Sequence, residues 1–157
     1  MQIEKFLLLI LIGALIITGC KKSDDYSDIP SIGFKTLTVQ KSPGSAFDSI
    51  AKLVVTFTDG DGDIGTIQYD GVPDNFIIHL FQKTNGIWIA NSANYSGHLP
   101  YLTPTGNNKA LKGEIAHSIF LPFAQNNDTL RYEIYIFDRA LNKSNTVTTP
   151  EIVVTTN

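Results

Sequence analysis

The residues best suited to chemistry are carboxylates spaced two apart. Asp59, Asp61 and Asp63 alternate with glycines in the segment TDGDGDIG (58–65), and Asp70 follows downstream. Carboxylates this close together repel one another, and a hard cation such as Ca2+, which binds six to eight oxygen ligands, relieves that repulsion. The glycines let the chain fold tightly and turn its carbonyl oxygens inward. We therefore predict a calcium site with Asp59, Asp61, Asp63 and Asp70 as candidate ligands, and no other cofactor.

The spacing of these carboxylates matches ligand positions 1, 3, 5 and 12 of an EF-hand loop, but the surrounding residues depart from that motif. Ile64 stands where the EF-hand needs glycine, Asp70 is shorter than the usual bidentate glutamate, and a strand-like run (LVVTFT) precedes the loop. The segment is more similar to the acidic D-x-D-x-D loops between strands of extracellular β-domains. A second interpretation stays open: a tight turn prefers Asp and Gly for its backbone alone, with the carboxylates in solvent.

No catalytic motif accompanies these carboxylates. The three histidines, His79, His98 and His117, lack the spacing of metal or catalytic pairs. The sequence contains neither the G-x-S-x-G motif of a serine nucleophile nor a phosphate-binding loop. We expect a protein without enzymatic activity and without catalytic residues.

The chain begins with the pattern of a secretory signal. Residues 6–17 (FLLLILIGALII) form an apolar run after a short polar start that contains Lys5. At about 1.5 Å per residue this run spans roughly 18 Å, too short for a bilayer core of about 30 Å. Its length fits the apolar region of a signal peptide, and it ends at the tetrapeptide Ile17-Thr18-Gly19-Cys20.

This tetrapeptide resembles the lipobox of bacterial lipoproteins: an aliphatic residue, two small residues, then cysteine. The resemblance implies that residues 1–19 are removed, that the Cys20 thiol carries diacylglycerol, and that its amino group carries a further acyl chain such as palmitate. Two or three chains, at about 0.8 kcal/mol per buried CH2, anchor a protein durably. The membrane is thus the partner expected at Cys20. The alternative is an ordinary signal peptide or short anchor with an incidental cysteine.

Residues 20–30 are polar and aperiodic, and they predict a flexible lipidated tether ahead of a single domain at 31–157. Lys21 stands where enteric lipoproteins retained in the inner membrane carry aspartate. The segment KKSDD (21–25) is similar to the tethers of Bacteroidetes lipoproteins on the outer face of the outer membrane. That resemblance implies an outer-membrane, surface-exposed lipoprotein of the cell envelope; a solvated linker that carries no address is the alternative.

The rest of the chain alternates apolar and polar residues with the period of β-strands and shows no credible helix. Asn85-Gly86 predicts a two-residue hairpin. The segment 91–112, rich in Asn, Ser, Gly and Pro, predicts a long loop with room for a short edge strand near Tyr101. About seven strands at this spacing predict an all-β protein, an antiparallel β-sandwich. We expect the strands at 31–41, 50–58, 76–82, 87–90, 113–121, 130–137 and 146–155.

The pattern Asp128-x-Leu130-x-Tyr132-x-Ile134 resembles strand F of immunoglobulin folds. The resemblance implies an immunoglobulin-like sandwich of the kind found in Bacteroidetes surface lipoproteins, with Tyr132 as its tyrosine corner; ordinary core packing of Tyr132 is the alternative. Ile134 stands where antibody domains carry their second cysteine, and Trp88 sits later than the usual core tryptophan. The segment DRALNKSN (138–145) resembles the F–G turn of bacterial immunoglobulin-like and cadherin-like repeats.

Charge argues against nucleic acid as a partner, since the chain has 12 basic and 15 acidic residues. Tyr95 and Tyr101, among the amides of 91–112, suit a loop that binds carbohydrate or protein, although an ordinary exposed loop has the same composition. We expect a lipid-anchored envelope lipoprotein whose domain serves binding, adhesion or structure, with a protein or glycan as ligand. The alternative is an accessory glycan-binding or glycan-processing subunit of a surface uptake system.

Overall fold

The structure, a computed structural model, describes residues 25–41, 43–44, 48–121 and 127–155. These ranges contain eight strands and no α-helix, so none of their residues forms a helix long and apolar enough to cross a membrane. The predicted signal peptide and Cys20 lie outside the described residues. The strands are β1 (Ser31–Lys41), β2 (Asp48–Asp59), β3 (Phe76–Thr84), β4 (Ile87–Asn94), β5 (Leu111–Phe120), β6 (Thr129–Ile136), β7 (Val147–Thr148) and β8 (Ile152–Val153).

Two antiparallel sheets pack face to face, which confirms the predicted β-sandwich. One sheet has the order β1-β2-β5, and the other has the order β4-β3-β6-β7 with β8 also pairing with β6. The strands that precede and follow the acidic loop, β2 and β3, therefore belong to opposite sheets.

The Asn85-Gly86 hairpin is confirmed. It joins β3 to β4, and both residues adopt the left-handed backbone that such a turn requires, with φ of 51° and 80°. The last predicted strand is divided into β7 and β8 around Pro150, because proline has no N–H to give to a strand ladder. Near Tyr101 the chain makes a single bridge, between Pro100 and Thr66, in place of the short edge strand.

The core lies between the sheets and follows from the period of two along each strand. Tyr132, in the middle of β6, is completely buried and packs edge-on against Tyr95. Its hydroxyl has no hydrogen-bond partner, so Tyr132 is a core aromatic and the tyrosine corner is not formed. The inward residues of β2 are Ala51, Leu53, Val55 and Phe57, and those of β6 are Leu130, Tyr132, Ile134 and Ile136.

Each of these two inward series continues to an aspartate. Asp59 is the last residue of β2 and lies two positions after Phe57, and Asp138 lies two positions after Ile136 at the end of β6. Because side chains two apart share a face of a strand, both aspartates point toward the space between the sheets. They are 0% and 3% exposed, respectively. The fold thus carries one carboxylate from each sheet into the same end of the sandwich.

The described part of the predicted tether packs against that same end. Pro30 is completely buried, and the carbonyl oxygen of Ser27 accepts a hydrogen bond of 2.8 Å from the amide of Gly60 in the acidic loop. The side chain of Asn145 then holds the start of β1, since it bonds both the amide and the carbonyl oxygen of Ile32 at 2.8 Å. Residues 26–30 form a segment across the acidic loop, called the strap below.

Candidate metal centre

Three carboxylates meet at the end of the sandwich where the strap lies. Asp59 ends β2, Asp63 lies in the loop that follows, and Asp138 begins the turn after β6. One oxygen of each lies within 4.8 Å of the others, and among the described residues this is the one group of three or more acidic, histidine or cysteine side chains with that geometry. We call Asp59, Asp63 and Asp138 the carboxylate cluster.

The loop that carries Asp63 is held in place by its own hydrophobic residue. Ile64 is completely buried in the core and forms an isolated antiparallel bridge with Asp138 of the other sheet. Gly62 and Gly65, on either side, adopt left-handed φ values of 70° and 82°, which a side chain would strain. Ile64 therefore has a structural role at the position where an EF-hand needs glycine, and it fixes Asp63 next to Asp138.

Asp59 uses only one of its two carboxylate oxygens. Its Oδ2 accepts a hydrogen bond of 3.0 Å from the amide of Asp63, which closes the loop. Its Oδ1 is buried and has no hydrogen-bond partner. A buried carboxylate oxygen without a donor is costly, because the energy of its lost hydration is not recovered.

Asp63 has the same incomplete bonding. Its Oδ2 accepts a hydrogen bond of 3.1 Å from the amide of Ala140, and its backbone carbonyl oxygen accepts one of 3.0 Å from the amide of Arg139. Its Oδ1 is buried and has no partner. Two contacts thus bind the acidic loop to the turn after β6. They still leave one carboxylate oxygen of Asp63 unsatisfied inside the cluster.

Asp138 is the anchor of its own turn. Its two oxygens accept hydrogen bonds of 2.7 Å and 2.8 Å from the amide and the side chain of Asn142. Leu141 between them has a left-handed φ of 68°, which is unusual for a residue other than glycine or asparagine. The hydrogen bonds to Asn142 hold that backbone in place, and each Asp138 oxygen keeps a second lone pair for another partner.

The carboxylate cluster disfavours its own negative charge. Burial, followed by repulsion from Asp61 and Asp63, raises the pKa of Asp59 to about 6. Burial, followed by repulsion from Asp138, also raises the pKa of Asp63, and Arg139 opposes this only in part. The guanidinium of Arg139 donates its shortest backbone hydrogen bond, of 2.8 Å, to the carbonyl oxygen of Ile64. The folded cluster therefore holds its negative charge at a cost and is short of positive charge.

This donor set fits a hard cation. It offers carboxylate oxygens from three residues and no nitrogen or sulfur, which is the ligand chemistry of Ca2+ and Mg2+ rather than of zinc or copper. The two unbonded Oδ1 atoms, of Asp59 and Asp63, are the atoms that a cation would engage. Ca2+ tolerates irregular geometry and completes its shell with water, whereas Mg2+ demands a near-ideal octahedron.

Two of the four ligands predicted from the sequence belong to this cluster and two lie apart from it. Asp59 and Asp63 converge, whereas Asp61 is exposed and acts on them through its charge alone. Asp70 is exposed in the turn beyond the loop and does not reach the cluster. The chain bends at Gly60 and Asp61 and takes a left-handed φ of 70° at Gly62, so the period of two along β2 ends at Asp59 and Asp61 faces solvent.

Asp138 was missed as a candidate ligand, although the sequence carries a signal for it. The even-numbered series Leu130, Tyr132, Ile134 and Ile136 predicts an inward face, and Asp138 is its next member. The odd-numbered series of β2 ends on Asp59 in the same way. What the sequence does not reveal is that the ends of these two strands lie opposite each other, in different sheets.

The remaining candidates take structural roles in the described residues. Tyr95 packs on Tyr132 in the core, and the ring of Tyr101 lies 4.3 Å from the guanidinium carbon of Arg139. The ring of His79 lies tilted against that of Tyr135, with centroids 5.8 Å apart, and the ring of His117 meets that of Phe76 edge-on, with centroids 5.5 Å apart. A ring nitrogen of His98 lies 3.7 Å from the Asp74 carboxylate.

Comparisons with protein-family models, with curated proteins and with solved structures found no match to this chain.

Proposed function

We propose that the chain is a lipid-anchored, non-enzymatic protein of the cell envelope whose immunoglobulin-like domain is a binding or structural module, and that Ca2+ held by Asp59, Asp63 and Asp138 fastens its two sheets together. One observation carries the calcium part of this proposal. Two carboxylate oxygens, Oδ1 of Asp59 and Oδ1 of Asp63, are buried beside a third carboxylate without any hydrogen-bond donor.

Electrostatics favours a divalent cation at this place. The three carboxylates share a site where water is largely excluded, and like charges there repel far more strongly than in solvent. Arg139 offsets part of the charge on Asp63, but its guanidinium also donates hydrogen bonds to the carbonyl oxygens of Gly62 and Ile64. A bound cation would supply the missing charge and the missing partners in one step.

The position of the cluster suggests what the cation would do. Asp59 belongs to β2 in one sheet, and Asp138 follows β6 in the other. A cation between them would tie the two sheets at one end of the sandwich, as a disulfide does in other immunoglobulin folds. The lipobox motif ending at Cys20 adds a location outside the cytoplasm, where even a site with a Kd of about 10⁻⁴ to 10⁻³ M can be occupied.

Calcium titration of thermal unfolding tests the proposal. A ligand that binds only the folded state raises its stability by RT ln(1 + [L]/Kd), about 2 kcal/mol for a Kd of about 10⁻⁴ M at 5 mM Ca2+. For a domain of this size that corresponds to an increase in Tm of roughly 4 to 10 °C over the protein in EDTA. The same concentration of Mg2+ should have a smaller effect. An unchanged Tm at 10 mM Ca2+ excludes the site.

Asn substitutions distinguish this cluster from the four ligands predicted by spacing. Asp59→Asn keeps the shape of the side chain and removes one charge, so the calcium-induced increase in Tm should disappear while the Tm in EDTA rises, because repulsion is relieved. Asp70→Asn is the matched control in the neighbouring turn and should leave both values unchanged. Loss of the calcium response in Asp70→Asn with retention in Asp59→Asn would reverse the assignment.

Metabolic labelling tests the lipid anchor separately. The chain expressed in a bacterium with an outer membrane should incorporate labelled palmitate and fractionate with membranes. Cys20→Ala should abolish both, and Thr18→Ala, which keeps a small residue before the cysteine, should preserve both. Label retained in Cys20→Ala contradicts the lipoprotein assignment without affecting the calcium site.

A further inference from the structure

We infer that cation binding at the carboxylate cluster controls whether the strap, residues 26–30, is attached to the domain, and thereby sets the length of the chain between the membrane anchor and the domain. This inference rests on the proposed function, both for the cation and for the lipid at Cys20. The contact between the strap and the acidic loop is separate from the three carboxylates of the cluster.

The contact between strap and loop is made beside a candidate ligand. Gly60 directly follows Asp59, and its amide donates a hydrogen bond of 2.8 Å to the carbonyl oxygen of Ser27. A methyl group on residue 60 would collide with the carbonyl oxygen of Tyr26, so the two backbones touch where only glycine fits. Any shift of Asp59 on losing its cation therefore moves the atom that holds the strap.

The strap also carries a negative charge, which disfavours its contact with the acidic loop when no cation is bound. The Oδ1 atom of Asp28 lies 2.9 Å from the position that a Cβ on Gly60 would occupy. Asp28 thus lies beside Gly60, which separates Asp59 from Asp61, and its negative charge opposes attachment of the strap to the acidic loop. A bound cation removes most of this repulsion, and its loss restores it.

Release of the strap would change the reach of the tether. From Cys20 to Tyr26 the chain has six residue steps, which span at most about 20 Å; from Cys20 to Ser31 it has eleven, which span at most about 37 Å. While the strap is attached, the buried ring of Pro30 and the hydrogen bonding of Asn145 to Ile32 hold the chain where it enters β1. Calcium would thus hold the domain close to the membrane, and its removal would let the domain extend.

Hydrogen exchange of the full chain in detergent micelles tests the inference, with peptides that cover 25–33 and 58–63 followed in Ca2+ and in EDTA. The Gly60 amide, bonded to the Ser27 carbonyl oxygen, reports on the contact itself, and the Ile29 amide, bonded to the Ser27 hydroxyl at 3.0 Å, reports on the conformation of the strap. We expect Ca2+ to slow their exchange about tenfold or more, since local opening of the strap becomes rarer. The calcium-induced change in Tm is measured on the same samples.

Two variants separate the strap from the cation site. Gly60→Ala keeps all carboxylates but displaces the strap, so calcium should still raise Tm while the Ile29 amide exchanges fast under both conditions. Gly97→Ala is the matched control, because a Cβ there meets nothing within 4 Å, and it should behave as the wild type. Asp28→Asn should slow exchange of the strap in EDTA, because it removes the repelling charge.

The outcomes distinguish the inference from the proposed function. An increase in Tm with Ca2+ but identical strap exchange in Ca2+ and EDTA overturns the inference and leaves the cation site standing. No change in either measurement overturns both. A calcium-dependent slowing that persists in Gly60→Ala also contradicts the inference, because the strap would then be ordered by some other contact.

Discussion

Two groups of charged residues in this domain are built in opposite ways. On the outer face of the β4-β3-β6 sheet, the guanidinium of Arg131 lies 4.4 Å from the ring of Trp88 and 5.3 Å from that of Phe81, and 3.9 Å from the Glu133 carboxylate. Lys83 lies over the same Trp88 ring, at 5.2 Å. In the carboxylate cluster, three acidic side chains face one another between the sheets, and two of their oxygens have no partner.

The two groups differ in where each charge finds its partners. The Arg131 group lies on a half-exposed face, where alternate residues of neighbouring strands stand side by side and supply ring faces and carboxylates of opposite charge. The carboxylate cluster lies where two sheets end, and residues of the same sign meet there because each strand delivers its own aspartate. The first arrangement pairs opposite charges and ring faces, although the Nε of Arg131 is buried without a hydrogen-bond partner; the second gathers charges of one sign and leaves two carboxylate oxygens without a partner.

The largest expected effect is the dependence of the cluster on pH. Because the folded-state pKa of Asp59 is raised to about 6 from 3.8, the folded protein in EDTA binds more protons than the unfolded protein between these values. Stability from this group is therefore present below pH 4 and lost as pH rises through 6, by up to about 3 kcal/mol. Urea unfolding from pH 4 to 7.5 in EDTA measures it.

The Asp59→Asn variant supplies the control for this pH dependence. Burial lowers the pKa of His117, which opposes the trend because the unfolded state takes up that proton more readily below about pH 6.5. The difference between wild type and Asp59→Asn cancels this contribution. In Ca2+ the same difference should shrink or change sign near pH 7, because the cation binds the ionised form. A difference that is constant with pH contradicts the raised pKa.

A smaller effect is expected in the Arg131 group. Arg131→Ala removes the guanidinium from between Trp88 and Phe81 and should lower the free energy of unfolding by about 1 to 2 kcal/mol. The loss should be equal in Ca2+ and in EDTA, since this group needs no ion. Urea unfolding under both conditions checks the equality, and a loss confined to one of them would show that the two groups are coupled.

The smallest effect is expected at Leu141, in the turn that carries Asp138. Its side chain is 77% exposed, so little packing is lost in Leu141→Gly, whereas a left-handed backbone costs a leucine about 1 to 2 kcal/mol. After the greater flexibility of glycine in the unfolded chain is subtracted, we expect a gain of about 0.5 to 1 kcal/mol. Ala140→Gly, whose backbone is not left-handed, is the matched control and should be neutral or destabilising.

Much of the fold follows from local patterns. Alternation along 130–137 places Tyr132, Ile134 and Ile136 inside, and Asn85-Gly86 turns the chain because both residues tolerate a left-handed backbone. The end of β4 and the division of the last strand were less predictable, because they depend on which neighbours pair with each segment. The tyrosine corner was expected at Tyr132 from a short motif, and the hydroxyl finds no partner because the ring packs fully within the core.

The D-x-D-x-D spacing and the inward series to Asp59 are local properties, so they are enough to place acidic residues at the end of β2 and just after it. Which of these residues act together depends on how the two sheets pack. The tertiary structure turns Asp61 and Asp70 to solvent and brings in Asp138, which forms a bridge with Ile64 although it lies 74 residues later in the chain. Spacing along a chain fixes only the face of a strand on which a residue lies; the packing of two sheets fixes which faces end at the same place.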